Sequence, residues 1–252
     1  MRWLCWCSAA LVLAGCGRGA RPTADPFAYD HARPLAVAYG GDFASGPRAT
    51  IRNLTFTGAN GSRVSALLVV PRIGGRLPGV LFLHGSGGSR LDFVLEAARL
   101  GLEGAVTMTI SQPNDVETYR PLVVNARRAL DLLAARADVD PSRLGVVGFS
   151  LGAQTAAILA GDDSRLKTAG IIGGRGTPVT RYWIRRTHAS LFFQAGTLDD
   201  HVPHAQLLAL MRAAPGHPLI RWYRVGHVIT RRIDADQLAW QARELRVGYA
   251  RE

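Results

Sequence analysis

Cysteine is nearly missing from this chain of 252 residues, and its three copies, Cys5, Cys7 and Cys16, all stand within the first sixteen positions. The rest of the chain can form no disulfide and offers no thiol nucleophile, and a metal site built on cysteine is excluded there as well. Lysine is scarcer still: Lys167 is the only one among 30 basic residues. The formal charge of +11 would suit a phosphate-binding face. The arginines, however, are scattered along the chain and form no cluster, which is a compositional bias more than a patch. No nucleic-acid partner is expected; weak attraction to anionic surfaces is what the charge leaves. Internal repeats and low-complexity tracts are absent. The apolar stretch from Trp3 to Leu13 is too short to span a bilayer. With 48% hydrophobic residues, the length suits one sizeable core and not two.

What is present begins at the N-terminus. Arg2 supplies a short positive start, the apolar stretch follows, and Leu13-Ala14-Gly15-Cys16 comes directly behind it. That tetrapeptide resembles the lipobox of bacterial lipoprotein signal peptides, in which cleavage precedes a lipid-modified cysteine. The resemblance implies a signal peptide over residues 1–15 and lipidation at Cys16; an ordinary secretory signal is the alternative. Diacyl attachment would hold a soluble domain to a membrane without a spanning helix. The expected location is exported and lipid-anchored, periplasm-facing or at the cell surface. Gly17 in place of Asp after the cysteine implies, by analogy, the outer membrane if the host has one. Residues 16–49 carry Gly, Pro and Ala with little periodicity, as a tether would, while Phe27, Tyr29, Leu35, Val37 and Tyr39 suggest that part of it packs. The folded domain is expected over residues 50–252.

From Thr50 onward the pattern is regular. Thr50 to Thr57 and Arg63 to Val70 read as two strands joined by a turn at Gly58-Ala59-Asn60-Gly61. Further strands are expected at Gly79 to Leu83, Ala105 to Ile110, Leu144 to Val147, Ala169 to Ile172, Ser190 to Gln194 and Leu219 to Val225. Helices are expected at Leu91 to Leu100, at Val116 to Ala137 with Pro121 close to its start, at Ala153 to Ala160, Ala205 to Ala213 and Ile233 to Arg246. Strands and helices alternate after an initial hairpin, which predicts an α/β fold: a mostly parallel sheet of about eight strands with helices on both faces.

Chemistry gathers at four places, each following a predicted strand. Gly148-Phe149-Ser150-Leu151-Gly152 lies between a strand and a helix and reads as a nucleophile elbow, with glycines two residues either side of the serine because the turn is sharp. His84-Gly85-Ser86-Gly87-Gly88 leaves backbone N–H groups free to face an oxyanion; the two donors are assigned to Ser86 and Leu151. His84 itself reads as a structural hydrogen-bonder. Asp199, with Asp200 as runner-up, stands where a carboxylate could orient a histidine. Gly226-His227 follows the last strand, and His227 completes the order Ser, Asp, His. A metal cluster of Asp199, Asp200, His201 and His204 is the competing view. It lacks the two-histidine spacing of a helical zinc motif and a remote ligand, so no metal or other cofactor is expected.

These segments, with Leu67-Leu68-Val69-Val70-Pro71, resemble the α/β-hydrolases and more narrowly the dienelactone hydrolase-like esterases, over about residues 50 to 246. The resemblance favours Asp199 as the acid, since Gly-x-x-Asp-x-x-Val-Pro is how family members present it. It implies a serine hydrolase that cleaves small-molecule carboxylic esters through an acyl-enzyme. The alternatives are an acyltransferase or thioesterase with the same triad, and a non-catalytic binding lipoprotein. Family members specialised for dienelactones commonly use cysteine where Ser150 stands, which turns the expectation toward ordinary esters. Little or no cap is expected. Gly173 to Thr187 is the only candidate, holding Arg175, Arg181, Tyr182, Trp183, Arg185 and Arg186, and it reads first as a surface loop with one aromatic tucked in.

Overall fold

A nine-stranded sheet forms the centre of the computed structural model, which describes residues 25–114 and 117–248. The N-terminal leader and Cys16 lie outside the described residues. In chain order the strands are β1 (Ala38–Ser45), β2 (Ala49–Thr57), β3 (Arg63–Pro71), β4 (Leu77–Leu83), β5 (Val106–Ile110), β6 (Val139–Phe149), β7 (Leu166–Ile172), β8 (Ser190–Gly196) and β9 (Leu219–Tyr223). They lie in the order β1-β2-β3-β5-β4-β6-β7-β8-β9. β1, β2 and β3 run antiparallel and β3 meets β5 antiparallel; every pair from β5 to β9 is parallel.

The helices are α1 (Val94–Glu103), α2 (Arg120–Ala134), α3 (Leu151–Asp162), α4 (Pro178–Ile184), α5 (His204–Ala213) and α6 (Arg231–Leu245). Strand alternation divides the core between the two faces. Leu81 and Leu83 of β4 join a cluster with residues of α2, α3 and α5, whereas Val80 and Phe82 turn the other way to Ala97 and Leu100 of α1 and Ile233 and Leu238 of α6. Pro121 sits in the first turn of α2, where its missing N–H costs no hydrogen bond.

The sheet has nine strands where about eight were expected, and the ninth, β1, lies inside the segment read as a partly packed tether over residues 16–49. All eight residues of β1 are exposed. An edge strand with no buried face carries no apolar alternation, and Gly40 and Gly41 weaken the strand signal further. The chain before β1 is fastened as well. Phe27 is buried in the core, and the buried Arg128 of α2 donates to the carbonyls of Thr57, Arg33 and Pro34 at 2.5, 2.9 and 3.1 Å. An internal arginine whose guanidinium spans three carbonyls ties this segment to the domain.

Candidate active site

β4, β6, β8 and β9 all belong to the parallel part of the sheet, so their C-terminal ends deliver the four motif segments to one edge of it, where ligands of open α/β sheets bind. Ser150 occupies the step from β6 to α3. Its backbone has φ 53° and ψ −112°, a left-handed conformation unusual for a residue with a side chain. The flanking glycines are required by close approach: a Cβ on Gly152 would stand 2.1 Å from the Leu83 carbonyl oxygen, and one on Gly148 would stand 2.2 Å from that of Gly152. The Ser150 N–H donates to the Ile172 carbonyl at 2.9 Å, which pins the turn to β7.

The structure brings Ser150, His227 and Asp199 into one hydrogen-bonded line. His227 Nε2 is 2.9 Å from Ser150 Oγ, and His227 Nδ1 is 2.7 Å from Asp199 Oδ2. The other Asp199 oxygen accepts the N–H groups of His201 and Val202 at 3.0 and 2.9 Å. Burial pushes the Asp199 carboxyl up, but the bonds from His227 and these N–H groups outweigh it and hold the group below the usual carboxylate range. These contacts hold the Asp199 carboxylate against the His227 ring. Asp200, the runner-up, is 84% exposed and pairs with His201 at 2.8 Å instead. The His227 loop and the Asp199 loop are braced directly, with the Leu198 N–H donating to the Val225 carbonyl at 3.0 Å.

Asp199, Asp200 and His201 present donor atoms within 4.8 Å of one another. Asp199 also bonds His227 and two backbone N–H groups. His204, the fourth member of the alternative cluster, packs edge-on against Trp222 at 5.2 Å.

Ser86 lines the same pocket as Ser150, and among the described residues the N–H groups of Ser86 and Leu151 donate to no protein acceptor. The buried His84 accepts the Gln112 N–H on Nε2 at 2.8 Å, so its Nδ1 carries the proton and donates to the Gly85 carbonyl at 2.6 Å. Its role is to hold the glycine turn, as its position in the sequence suggests.

Several residues of the site escape sequence reasoning. His227 is sandwiched by Phe149, at 4.8 Å between ring centroids, and by His201, stacked at 5.1 Å with planes 13° apart. Gln154 and Arg175 line the pocket of about 300 Å³, and Arg175 donates to the His201 carbonyl at 2.8 Å. Phe149 carries a faint signal as the residue before the serine. Gln154 stands one turn along α3, His201 belongs to the competing metal cluster and Arg175 to the candidate cap, but no local pattern places them around His227. Of the Gly173 to Thr187 segment only Arg175 reaches the pocket; α4 packs against α3 and α5 and does not roof the serine.

Residues 104–244 match the sequence model of the dienelactone hydrolase family. No curated protein matches the chain by sequence. Among solved structures it is similar to an acetyl xylan esterase from Paenibacillus sp. R4, with TM-score 0.73 and 18% identity over 84% of this chain and 90% of that one. Acetyl xylan esterase 1 from Thermoanaerobacterium sp. JW/SL YS485 gives TM-score 0.74 at 13% identity, covering 83% and 88%. A cold-adapted esterase from an Arctic intertidal metagenomic library gives 0.72 at 16%, covering 82% and 99%. At such identities the likeness is one of fold.

Proposed function

The chain belongs to the dienelactone hydrolase family, carboxylic ester hydrolases of the α/β-hydrolase fold, and we propose that it cleaves small-molecule esters with Ser150 as nucleophile, His227 as base and Asp199 as the orienting acid. The observation that carries this reading is the unbroken line from Asp199 Oδ2 through His227 to Ser150 Oγ, at 2.7 and 2.9 Å. Ser150 Oγ attacks the ester carbonyl as His227 Nε2 takes its proton. The resulting oxyanion accepts the N–H groups of Ser86 and Leu151 at the start of α3, where the helix dipole also favours negative charge. His227 then gives the proton to the departing alcohol, leaving Ser150 acylated. Water, deprotonated by the same nitrogen, attacks the acyl-enzyme and releases the acid. A serine hydroxyl stands here where members specialised for dienelactones commonly carry a cysteine, which turns the reading toward ordinary carboxylic esters.

The test is turnover of p-nitrophenyl acetate and butyrate by the chain and by its Ser150→Ala and His227→Ala variants. Loss in both variants supports the acyl-enzyme reading; equal turnover in all three rejects it. Product analysis with added alcohol separates hydrolysis from acyl transfer, because the acyl-enzyme itself does not decide what resolves it.

We also propose, from Leu13-Ala14-Gly15-Cys16, that the protein is exported and anchored to a bacterial membrane by lipid on Cys16. Among the described residues no helix is long and apolar enough to cross a membrane.

A further inference from the structure

Two cavities meet at the contact between Tyr119 and Gln154. The catalytic pocket, about 300 Å³, is bounded on one side by Gln154. A second cavity of about 1020 Å³ is walled mainly by Phe27, Tyr119, Val179, Tyr182 and Trp183. Tyr119 of the second cavity and Gln154 of the first form a partition between them, the Tyr119 hydroxyl donating to Gln154 Oε1 at 2.5 Å. Gln154 lies four residues beyond Ser150 on the helix, so this partition stands about 6 Å along the axis from the nucleophile. The aromatic walls are packed on one another, Phe27 against Trp183 at 5.4 Å and Tyr182 edge-on to Trp183 at 5.3 Å. Yet Val179 and Tyr182 remain 39% and 44% exposed, an apolar surface left open beside a reactive centre.

We propose that this groove receives the acyl chain of a medium- or long-chain ester, a substrate class that rests on Ser150 being the nucleophile. Position decides which arm of the ester it takes. The leaving alcohol must receive its proton from His227, so it departs on the side of the loop joining β9 to α6. The groove lies on the other side. Its walls come from the start of α2, which follows β5, and from α4, and both helices pack on the face opposite α1 and α6. β4, β6, β7 and β8 separate β5 from β9 in the sheet. An acyl group seated with its carbonyl oxygen at the Ser86 and Leu151 N–H groups therefore extends past Gln154 and over Tyr119. Arg120 also borders the groove, but its guanidinium is spent on the carbonyls of Pro26 and Ala28 at 2.6 and 2.7 Å. The groove thus reads apolar length and offers that cation to no anionic head group.

The experiment is a series of p-nitrophenyl esters from acetate to dodecanoate with the full-length protein and its Val179→Trp variant, which fills the groove from an exposed helix position. The expected kcat/KM rises about threefold per methylene from butyrate to octanoate. Val179→Trp is expected to lower the octanoate-to-acetate ratio by about tenfold or more. A readout independent of turnover accompanies it: calorimetric binding of decanoate to the Ser150→Ala protein, lost when Val179→Trp is added. A ratio and a decanoate affinity both unmoved by Val179→Trp would overturn the proposal. So would a variant that penalises octyl acetate while sparing p-nitrophenyl octanoate, since that result assigns the groove to the alcohol. Acetate turnover that survives Ser150→Ala overturns the nucleophile instead, and decanoate binding then still decides the groove.

Discussion

Ser150 holds a strained backbone for a reason visible in its surroundings: only a turn this tight lifts its Oγ to the sheet edge while leaving the N–H groups of α3 exposed beneath it. His227 is fixed from every side, by Phe149 and His201 on its faces and by Ser150 and Asp199 at its nitrogens. Each fixed contact removes rotamer freedom that would otherwise dilute the reactive geometry. The two neighbouring aspartates make a sharp comparison. Asp199→Asn removes the acceptor that sets the imidazole tautomer, and kcat should fall by about 10⁴ with little change in KM. Asp200→Asn breaks only an exposed pair, so steady-state kinetics should stay within about twofold of the parent.

At the scale of elements, the elbow and the α1–α6 contact carry the consequences. Gly152→Ala would drive a Cβ into the Leu83 carbonyl, and backbone cannot yield as a side-chain tip can. Denaturant unfolding should show a loss of about 2 kcal/mol or more, accompanied by loss of ester turnover. Across the other face, burial of Asp234 in the first turn of α6, reinforced by Glu96 of α1 and only partly offset by Arg99, pushes its carboxyl up to about 7. The folded state therefore holds a proton that the unfolded chain releases near pH 4. That contribution to stability is complete below about pH 4 and is lost as pH rises through about 7. Urea midpoints between pH 4 and 8 should fall less steeply in Asp234→Asn than in the parent; parallel profiles would refute the assignment.

For the whole molecule, the segment before β1 is strapped along α2, away from the His227 and Asp199 loops at the reactive sheet edge. If Cys16 carries lipid, the parent should partition to the membrane fraction and incorporate labelled palmitate, and Cys16→Ser should do neither. The arginine-rich surface predicts weak binding to anionic vesicles that 0.5 M salt abolishes, on the order of the screening expected within one Debye length.

The parallel sheet, the elbow and the histidine after the last strand were legible in the sequence because each is a local pattern. Buried parallel strands read as short apolar runs, Gly148 and Gly152 mark a turn that tolerates nothing larger, and Gly226-His227 comes three residues after the end of β9. Tertiary structure alone decided what depends on partners distant in the chain. β1 carries no pattern because its neighbour supplies the order and solvent covers both its faces. Asp199 is favoured over Asp200 in the sequence only through a family resemblance, and it is the packing of the β8 and β9 loops that turns Asp199 toward His227. The stacking of His201, the reach of Arg175 and the groove joining Phe27 to Tyr119 and Trp183 arise where separate loops meet. No window of sequence holds both sides of such a contact.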